Sequence, residues 1–332
     1  MFRYIDIHSH LNFAAFATDR EATIKRALDA GVAMINVGTQ KDTSQKAVEL
    51  AAQYERGVYA IVGVHPIHTS KSFHDEKELG KIPPTAPTTP SRRLDTPPLA
   101  GGEGSAPFKK GRIKNEGFVS RGEVFEHTYY KKLAEHPKVV GIGECGLDYY
   151  QRDTNQRIHP NDPNIKKQEE AFRSQIELAI EVRKPLMLHI RNPSTRSGQA
   201  GSGRSAYEDA FQILTTYNLQ PTTDRPGNLH FFAGSIEEAK PFLDAGYTFS
   251  FTGVVTFAKD YEPIIRYLPL DSILSETDSP YVAPAPFRGK RNEPLYVREV
   301  VKAIARIRGE AAEKVRTQIL RNAEILFDIS LA

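Results

Sequence analysis

Cysteine is almost missing from this chain of 332 residues: the one thiol, Cys145, has no internal partner for a disulfide and cannot build a cysteine zinc finger. Any bound metal must therefore sit on His, Asp and Glu. Also missing is an apolar run of the ~20 residues that span a bilayer, and Met1 to His10 has neither the basic start nor the apolar stretch of a signal peptide. A cytoplasmic protein with no membrane partner is expected. No glycine fingerprint follows the first β-branched run and no Gly-x-x-x-x-Gly-Lys-Ser/Thr occurs, which removes support for a nucleotide cofactor. What is present suits a globular domain: 39% hydrophobic, 26% charged and 9% aromatic residues can supply a sizeable core, and they exclude wholesale disorder and a fibrous fold.

The net charge of +3 is unevenly placed. Between Lys81 and Gly122 stand eight Lys or Arg against three acids, together with seven prolines from Pro83 to Pro107. Residues 193–205 add two arginines and no acid within a run rich in Ser and Gly. Neither segment can bury enough apolar surface to offset its ordering entropy, so both are expected to be insertions, 81–122 basic and 193–205 rich in Gly and Ser. The rest, roughly 280 residues, is long enough for one large barrel domain.

That remainder alternates. The strand-like run Tyr4 to His8 is followed by a helical pattern over Glu21 to Ala30 and a second strand, Val32 to Gly38. Six further strands follow, at Val58 to Val64, Lys138 to Glu144, Pro185 to Ile190, Asn228 to Phe232, Tyr247 to Thr252 and Ser272 to Thr277, with helical patterns between them. Helices at Pro294 to Arg308 and Ala311 to Phe327 end the chain. Strands alternating with helices imply parallel pairing with right-handed crossovers, and eight units predict an α/β fold of the (β/α)8 TIM-barrel type, with both insertions in loops that follow strands. Chemistry in such a barrel belongs at the C-terminal ends of the strands.

Those ends carry a consistent set of side chains. His8 and His10 lie two residues apart at the end of the first strand and should project to the same face. Glu144 ends the fourth predicted strand, His189 stands near the end of the fifth, His230 near the end of the sixth, and Asp278 follows the eighth. Singly, each has an ordinary explanation, since a strand-end acid often caps the next helix and a strand-end His is often a hydrogen-bonded rim residue. Jointly, the barrel rim would gather all six, a mixed nitrogen and oxygen set suited to zinc, manganese or magnesium. Six ligands exceed the needs of one ion, so two divalent ions are expected: His8, His10 and Asp278 on the first, His189 and His230 on the second, and Glu144 as the bridge. An ion with an open position lowers the pKa of bound water to around 7, which makes hydrolysis possible without a Ser or Cys nucleophile. Catalytic parts then fall to Glu144, to Asp278 as a proton acceptor, and to His65, which could contact substrate or protonate a leaving group. Cys145 should face away from Glu144 as a buried thiol. Arg191, Arg288, Lys290 and Arg291 lie where barrels often hold phosphate and are candidate substrate contacts, although surface charge is the plain alternative.

At these residues the sequence resembles the TatD family of metal-dependent hydrolases within the amidohydrolase superfamily. The resemblance rests on Ile5-Asp-Ile-His-Ser-His10, Gly63-Val-His-Pro66, Ile142-Gly-Glu-Cys-Gly-Leu-Asp-Tyr149, Lys184-Pro-Leu-Met-Leu-His-Ile-Arg191, Glu276-Thr-Asp-Ser-Pro-Tyr281 and Arg288-Gly-Lys-Arg-Asn-Glu-Pro294. It implies a metal-dependent nuclease, commonly a DNase with exonuclease character. Two positions depart from the family pattern: His230-Phe-Phe-Ala-Gly234 stands where His-Cys-Phe-Ser-Gly is usual, and Ile67 follows the His-Pro pair, so His68 receives no role.

The expected activity is thus two-metal hydrolysis of phosphodiester bonds at DNA ends, with single-stranded or frayed termini preferred because a rim pocket admits them more easily than a duplex. The runner-up is an amidohydrolase or ester hydrolase, including deacylation of misacylated tRNA. A third reading, an inactive barrel whose basic insertions bind a partner, is opposed by the intact set of six ligands.

Overall fold

The computed structural model describes residues 2–70, 76–80, 89–90, 116–117, 122–150, 162–193, 205–217 and 225–332. The two expected insertions, 81–122 and 193–205, lie almost wholly outside the described residues.

Eight parallel strands form one sheet in chain order: β1 (Tyr4–Ser9), β2 (Val32–Val37), β3 (Val58–Val62), β4 (Val139–Asp148), β5 (Leu186–Arg191), β6 (Gly227–His230), β7 (Thr248–Phe251) and β8 (Ile273–Ser275). Helices α1 (Arg20–Asp29), α2 (Lys41–Ala52), α3 (His127–Ala134), α4 (Pro163–Val182), α5 (Ala206–Thr215), α6 (Ile236–Asp244), α7 (Glu262–Tyr267), α8 (Val297–Arg308) and α9 (Ala312–Phe327) pack outside it. The alternating pattern is therefore the (β/α)8 barrel expected of it. Strands β1, β2 and β4 are buried at nearly every position, as a sheet covered on both sides requires. Helix starts follow their local chemistry. Pro163 opens α4 behind Asp162, whose carboxylate accepts from Asn164 N at 2.8 Å, and Ser235 with Glu238 makes a capping box on α6.

Closure is achieved where β8 returns to β1. A bridge joins Ser9 to Ser279, Asp278 N donates to His8 O at 2.8 Å, and His10 N donates to Ser279 O at 2.9 Å. Asp6 on β1 accepts from Thr277 N at 2.8 Å and from the Thr277 hydroxyl at 2.5 Å. The seam of the barrel is thus made by the residues that flank three of the six expected ligands. No helix among the described residues is long and apolar enough to cross a membrane.

Strand ends differ from expectation by a residue or two in most cases, and the differences at β4 and β8 bear on the expected ligands. β4 does not stop at Glu144 but runs on to Asp148, because an irregularity in its register against β5 between Ile142 and Cys145 absorbs the shift that would otherwise end the ladder. Gly143, at φ +150°, makes this possible: a Cβ there would meet the Met187 carbonyl and side chain. β8 ends at Ser275, three residues short of Asp278, which adopts φ +54° in the turn that follows.

Candidate metal centre

Alternation along β1 turns His8 and His10 the same way, and their Nε2 atoms come within 3.2 Å of each other. The seam brings in the third donor: Asp278 Oδ1 lies 3.5 Å from His10 Nε2 and 4.0 Å from His8 Nε2. Two donors on one ion at ~2.1 Å stand about 3 to 3.5 Å apart in tetrahedral or octahedral geometry. The spacing of this trio suits an ion between them.

Glu144, bent inward from β4, occupies the middle. Its Oε2 lies 3.3 Å from His8 Nε2. Its Oε1 lies 2.8 Å from His189 Nδ1, 3.4 Å from His65 Nε2 and 3.6 Å from His230 Nε2. One oxygen faces the β1 side and the other faces the β3, β5 and β6 side. Burial alone would push this carboxyl up, but the surrounding histidines outweigh it and hold Glu144 well below the usual carboxylate range.

Three groups of donors converge within the described residues: His8, His10 and Asp278; His8, Glu144 and His230; His65, Glu144 and His189. The six expected ligands all fall within these groups, which overlap at His8 and Glu144. His189 and His230 are register partners on β5 and β6, yet their ring centroids are 6.2 Å apart and no group draws on both. His230 instead stacks on His8 at 3.5 Å. Each of the two meets Glu144 separately.

The far nitrogens of the histidines decide which near nitrogens can hold an ion. His10 Nδ1–H donates to the Val37 carbonyl at 2.9 Å, which can only accept, so Nε2 presents its lone pair to the centre. His189 lies between two carboxylates, Nε2 3.1 Å from Asp148 Oδ2 and Nδ1 2.8 Å from Glu144 Oε1, so Asp148 fixes the ring with Nδ1 turned toward Glu144. His230 Nδ1 lies 3.0 Å from Glu276 Oε1, and Glu276 is itself held by Ser250 Oγ and Phe231 N. Burial opposes a charge on these rings, but their carboxylate neighbours prevail: His10 and His189 are raised, and His230 is raised to about 9. His8 is the exception. Its Nδ1 is buried without a partner, and burial together with the charge of His230 lowers its pKa.

His65 differs in kind. Ile67 N–H donates to its Nδ1 at 3.0 Å, so the ring's proton lies on Nε2, the atom that faces Glu144. Burial and the neighbouring His189 charge depress its pKa to about 4, so the ring is neutral near pH 7 and offers an N–H to the mouth of the site. With the proton on Nε2, that atom offers no lone pair in this tautomer.

The four basic residues divide. The guanidinium of Arg191 grips Asp148 through Nε at 3.0 Å and Nη2 at 2.6 Å, with its face over Tyr150. Arg291 grips Asp19 in the same two-pronged way at 2.8 and 2.6 Å and also donates to Ala15 O. Both therefore hold neighbouring acids. Arg288 and Lys290 are exposed on the loop after β8, over the rings of Phe257 and Phe287. Cys145 is buried against the Met187 carbonyl, and burial raises its thiol pKa.

Sequence reasoning passed over Asp6, Asp148 and Glu276, the acids that position Thr277, His189 and His230. A signal was present: Asp6 and Glu276 each stand two residues before a ligand of the same strand or turn, and Asp148 four after Glu144, so the same side chain alternation points them toward the site.

Comparison with known proteins agrees with this centre. Residues 5–328 match the family model described as TatD related DNase. The chain is 31% identical to the metal-dependent hydrolase YabD of Bacillus subtilis (strain 168), over 98% of this chain and 99% of that one. It is 30% identical to the 3'-5' ssDNA/RNA exonuclease TatD of Erwinia billingiae (strain Eb661), over 97% and 98%. Its fold is shared with the TatD homologue YJJV of Escherichia coli K12, with a TM-score of 0.67 and 24% identity over 99% of each chain. With the barrel, the convergent His and carboxylate donors and a family match that runs nearly end to end, the chain belongs to the TatD-related DNase family of metal-dependent hydrolases.

Proposed function

We propose that the protein is an exonuclease that hydrolyses phosphodiester bonds of single-stranded or frayed DNA ends, using two divalent ions (magnesium, manganese or zinc) that share Glu144. The observation that carries this reading is the Glu144 carboxylate, with one oxygen 3.3 Å from His8 and the other 2.8 Å from His189, within reach of donors on both sides. His8, His10 and Asp278 would hold the first ion. His189 and His230, which both approach Glu144 Oε1, would complete the second. Ions held there supply Lewis acidity toward a phosphoryl oxygen and hydroxide at neutral pH. A nucleic-acid substrate is supported by the exonuclease name of the Erwinia relative and by the cations of the rim.

The chain's own groups have distinct parts. Asp278, with 14% of its side chain open, is the more accessible carboxylate and accepts the proton of the attacking water. Neutral His65 donates from Nε2 to a phosphoryl oxygen as charge develops there. Arg288 and Lys290 contact phosphates next to the scissile bond, while Arg191 and Arg291 act by holding Asp148 and Asp19. A cytoplasmic setting belongs to the same reading.

The test is to strip the protein with chelator, reload it separately with magnesium, manganese and zinc, and offer end-labelled single-stranded DNA, duplex DNA and an aminoacyl ester side by side. Metal-restored shortening of the single strand is expected. Turnover of the acyl ester with intact DNA would reassign the protein to ester or amide hydrolysis, including deacylation of tRNA.

A further inference from the structure

The ladder of β3 stops short of His65. Its register runs to Ile61 against β2 and to Val62 against β4. Between those pairs and His65 lie Gly63 and Val64, both buried, whose main-chain N–H and C=O groups need partners. Side chains of two helices supply them. Ser44 of α2 holds Gly63, its Oγ accepting from Gly63 N at 3.2 Å and donating to Gly63 O at 3.1 Å. Gln175 of α4 holds Val64: Oε1 accepts from Val64 N at 2.8 Å, and Nε2 donates to Val64 O at 3.0 Å.

A carboxamide carries an acceptor and a donor side by side, so it can pair with both peptide groups of one residue as a neighbouring strand would. Gln175 is 1% exposed, and its Nε2 also donates to Ala171 O one turn back, which fixes the amide against its own helix. Gly63 makes room for it. A Cβ there would meet Gln175 Oε1 and come within 2.7 Å of the Gly143 carbonyl. The same helix repeats the device seven residues earlier, close to two turns and hence on the same face. Gln168 Oε1 accepts from Asp148 N at 2.8 Å and its Nε2 donates to Asp148 O at 3.1 Å, at the end of β4.

The residue that follows Val64 stands at the metal centre. His65 Nε2 lies 3.4 Å from Glu144 Oε1, and its ring centroid is 4.2 Å from that of His189. We propose that Gln175 is a positioning residue for His65: by clamping the peptide groups of Val64 from α4, it fixes where the His65 Nε2–H points beside Glu144. The proposal rests on the reading of His65 as a donor in hydrolysis and adds the group that aims it. Gln175 acts through Val64, so its effect on the reaction must vanish where the His65 ring is absent.

The test follows the ring and the reaction in parallel. Gln175→Met keeps the volume and removes both bonds to Val64; kcat on single-stranded DNA should fall by about 10- to 100-fold with KM and metal content near wild type. In a His65→Ala background the same substitution should change kcat by no more than about twofold. Gln175→Glu presents the same acceptor and donor when its carboxyl is protonated, as burial favours, and should keep more kcat than Gln175→Met. Carbethoxylation in chelator, followed by mass spectrometry with exposed His127 as the internal reference, reads the ring without hydrolysis. Gln175→Met should speed modification at His65 and leave His8 and His10 protected.

An unchanged His65 rate, an equal rise at His8 and His10, equal kcat losses in the Met and Glu variants, or a loss that persists in full without His65 would each overturn the proposal. So would failure of both Gln175 variants to fold, which would make the residue a support of the barrel, and so would a His65→Ala enzyme with wild-type kcat. If no metal restores cleavage of any strand, the nuclease reading falls, and the modification rates alone judge whether Gln175 places His65.

Discussion

The two sides of the metal centre are built differently. On the β1 and β8 side, His8 is fully buried, His10 is oriented by the main-chain carbonyl of Val37, and Asp278 is placed by the backbone bonds of the barrel seam. On the β5 side, His189 is 17% exposed and takes its orientation from a side chain, Asp148, which is itself held by another side chain, Arg191. Main chain cannot be changed by substitution, whereas a carboxylate and a guanidinium can. The first side is therefore tied to the fold, and the second can be loosened without unfolding the barrel.

The largest effect is expected where the two sides meet. Glu144→Ala removes the one carboxylate that faces both, and metal analysis after dialysis should show loss of both ions with activity near background. Retention of two tightly held ions per chain would show that the sides do not share an acid. Next comes His65→Ala, which removes a donor but no ligand: kcat should fall by about 10²-fold, the usual cost of one such donor, with metal content unchanged. Loss of metal in that variant would move His65 into the ligand set.

Asp148→Asn tests the asymmetry directly. It should weaken one of two calorimetric metal-binding steps by about 10- to 100-fold and spare the other, and Arg191→Lys should do the same to a smaller degree. Equal weakening of both steps would mean that the two sides are one cooperative unit.

The smallest effect concerns a buried pair outside both sides. His68 Nε2 lies 3.3 Å from Glu78 Oε2, and Glu78 also accepts from Thr39 and Gln40, so the short helix Glu76–Leu79 is tied to the turn after β2. Burial would raise Glu78, but His68 and Thr39 outweigh it and hold it at about 2, while Glu78 overcomes burial to raise His68. The Glu78 contribution to stability is complete above the unfolded carboxyl pKa of about 4.3 and is lost as pH falls toward the folded value. The His68 contribution is complete below about 6.5 and is lost as pH rises through its raised folded value. Urea unfolding should therefore show Glu78→Gln less stable than wild type by about 1 to 3 kcal/mol near pH 5.5, and by less near pH 9, with metal content unaltered.

Much of this was legible in the chain because periodicity is local. Strand and helix alternation needs only the order of apolar residues, and the two-residue spacing of His8 and His10 already fixes a common face. The acids that orient the histidines carried a signal in their spacing, but their partners were not legible, because Glu276 acts on His230 of another strand and Asp148 on His189 across a shifted register. Nor could the sequence show that Arg191 and Arg291 hold acids: both are basic residues near strand ends, and pairing with Asp148 or Asp19 is a long-range fact.

By itself, then, the sequence determined the barrel, the strand ends as the place to look for chemistry and the candidate metal donors, since each depends on residue type and on position within a local strand pattern. Tertiary structure decided the rest. It set which oxygen of Glu144 faces which histidine, which nitrogen of His10 and of His65 carries the proton and which arginines grip neighbouring acids. Most of these are relations between groups on different elements, and only closure of the sheet brings them within hydrogen-bonding distance.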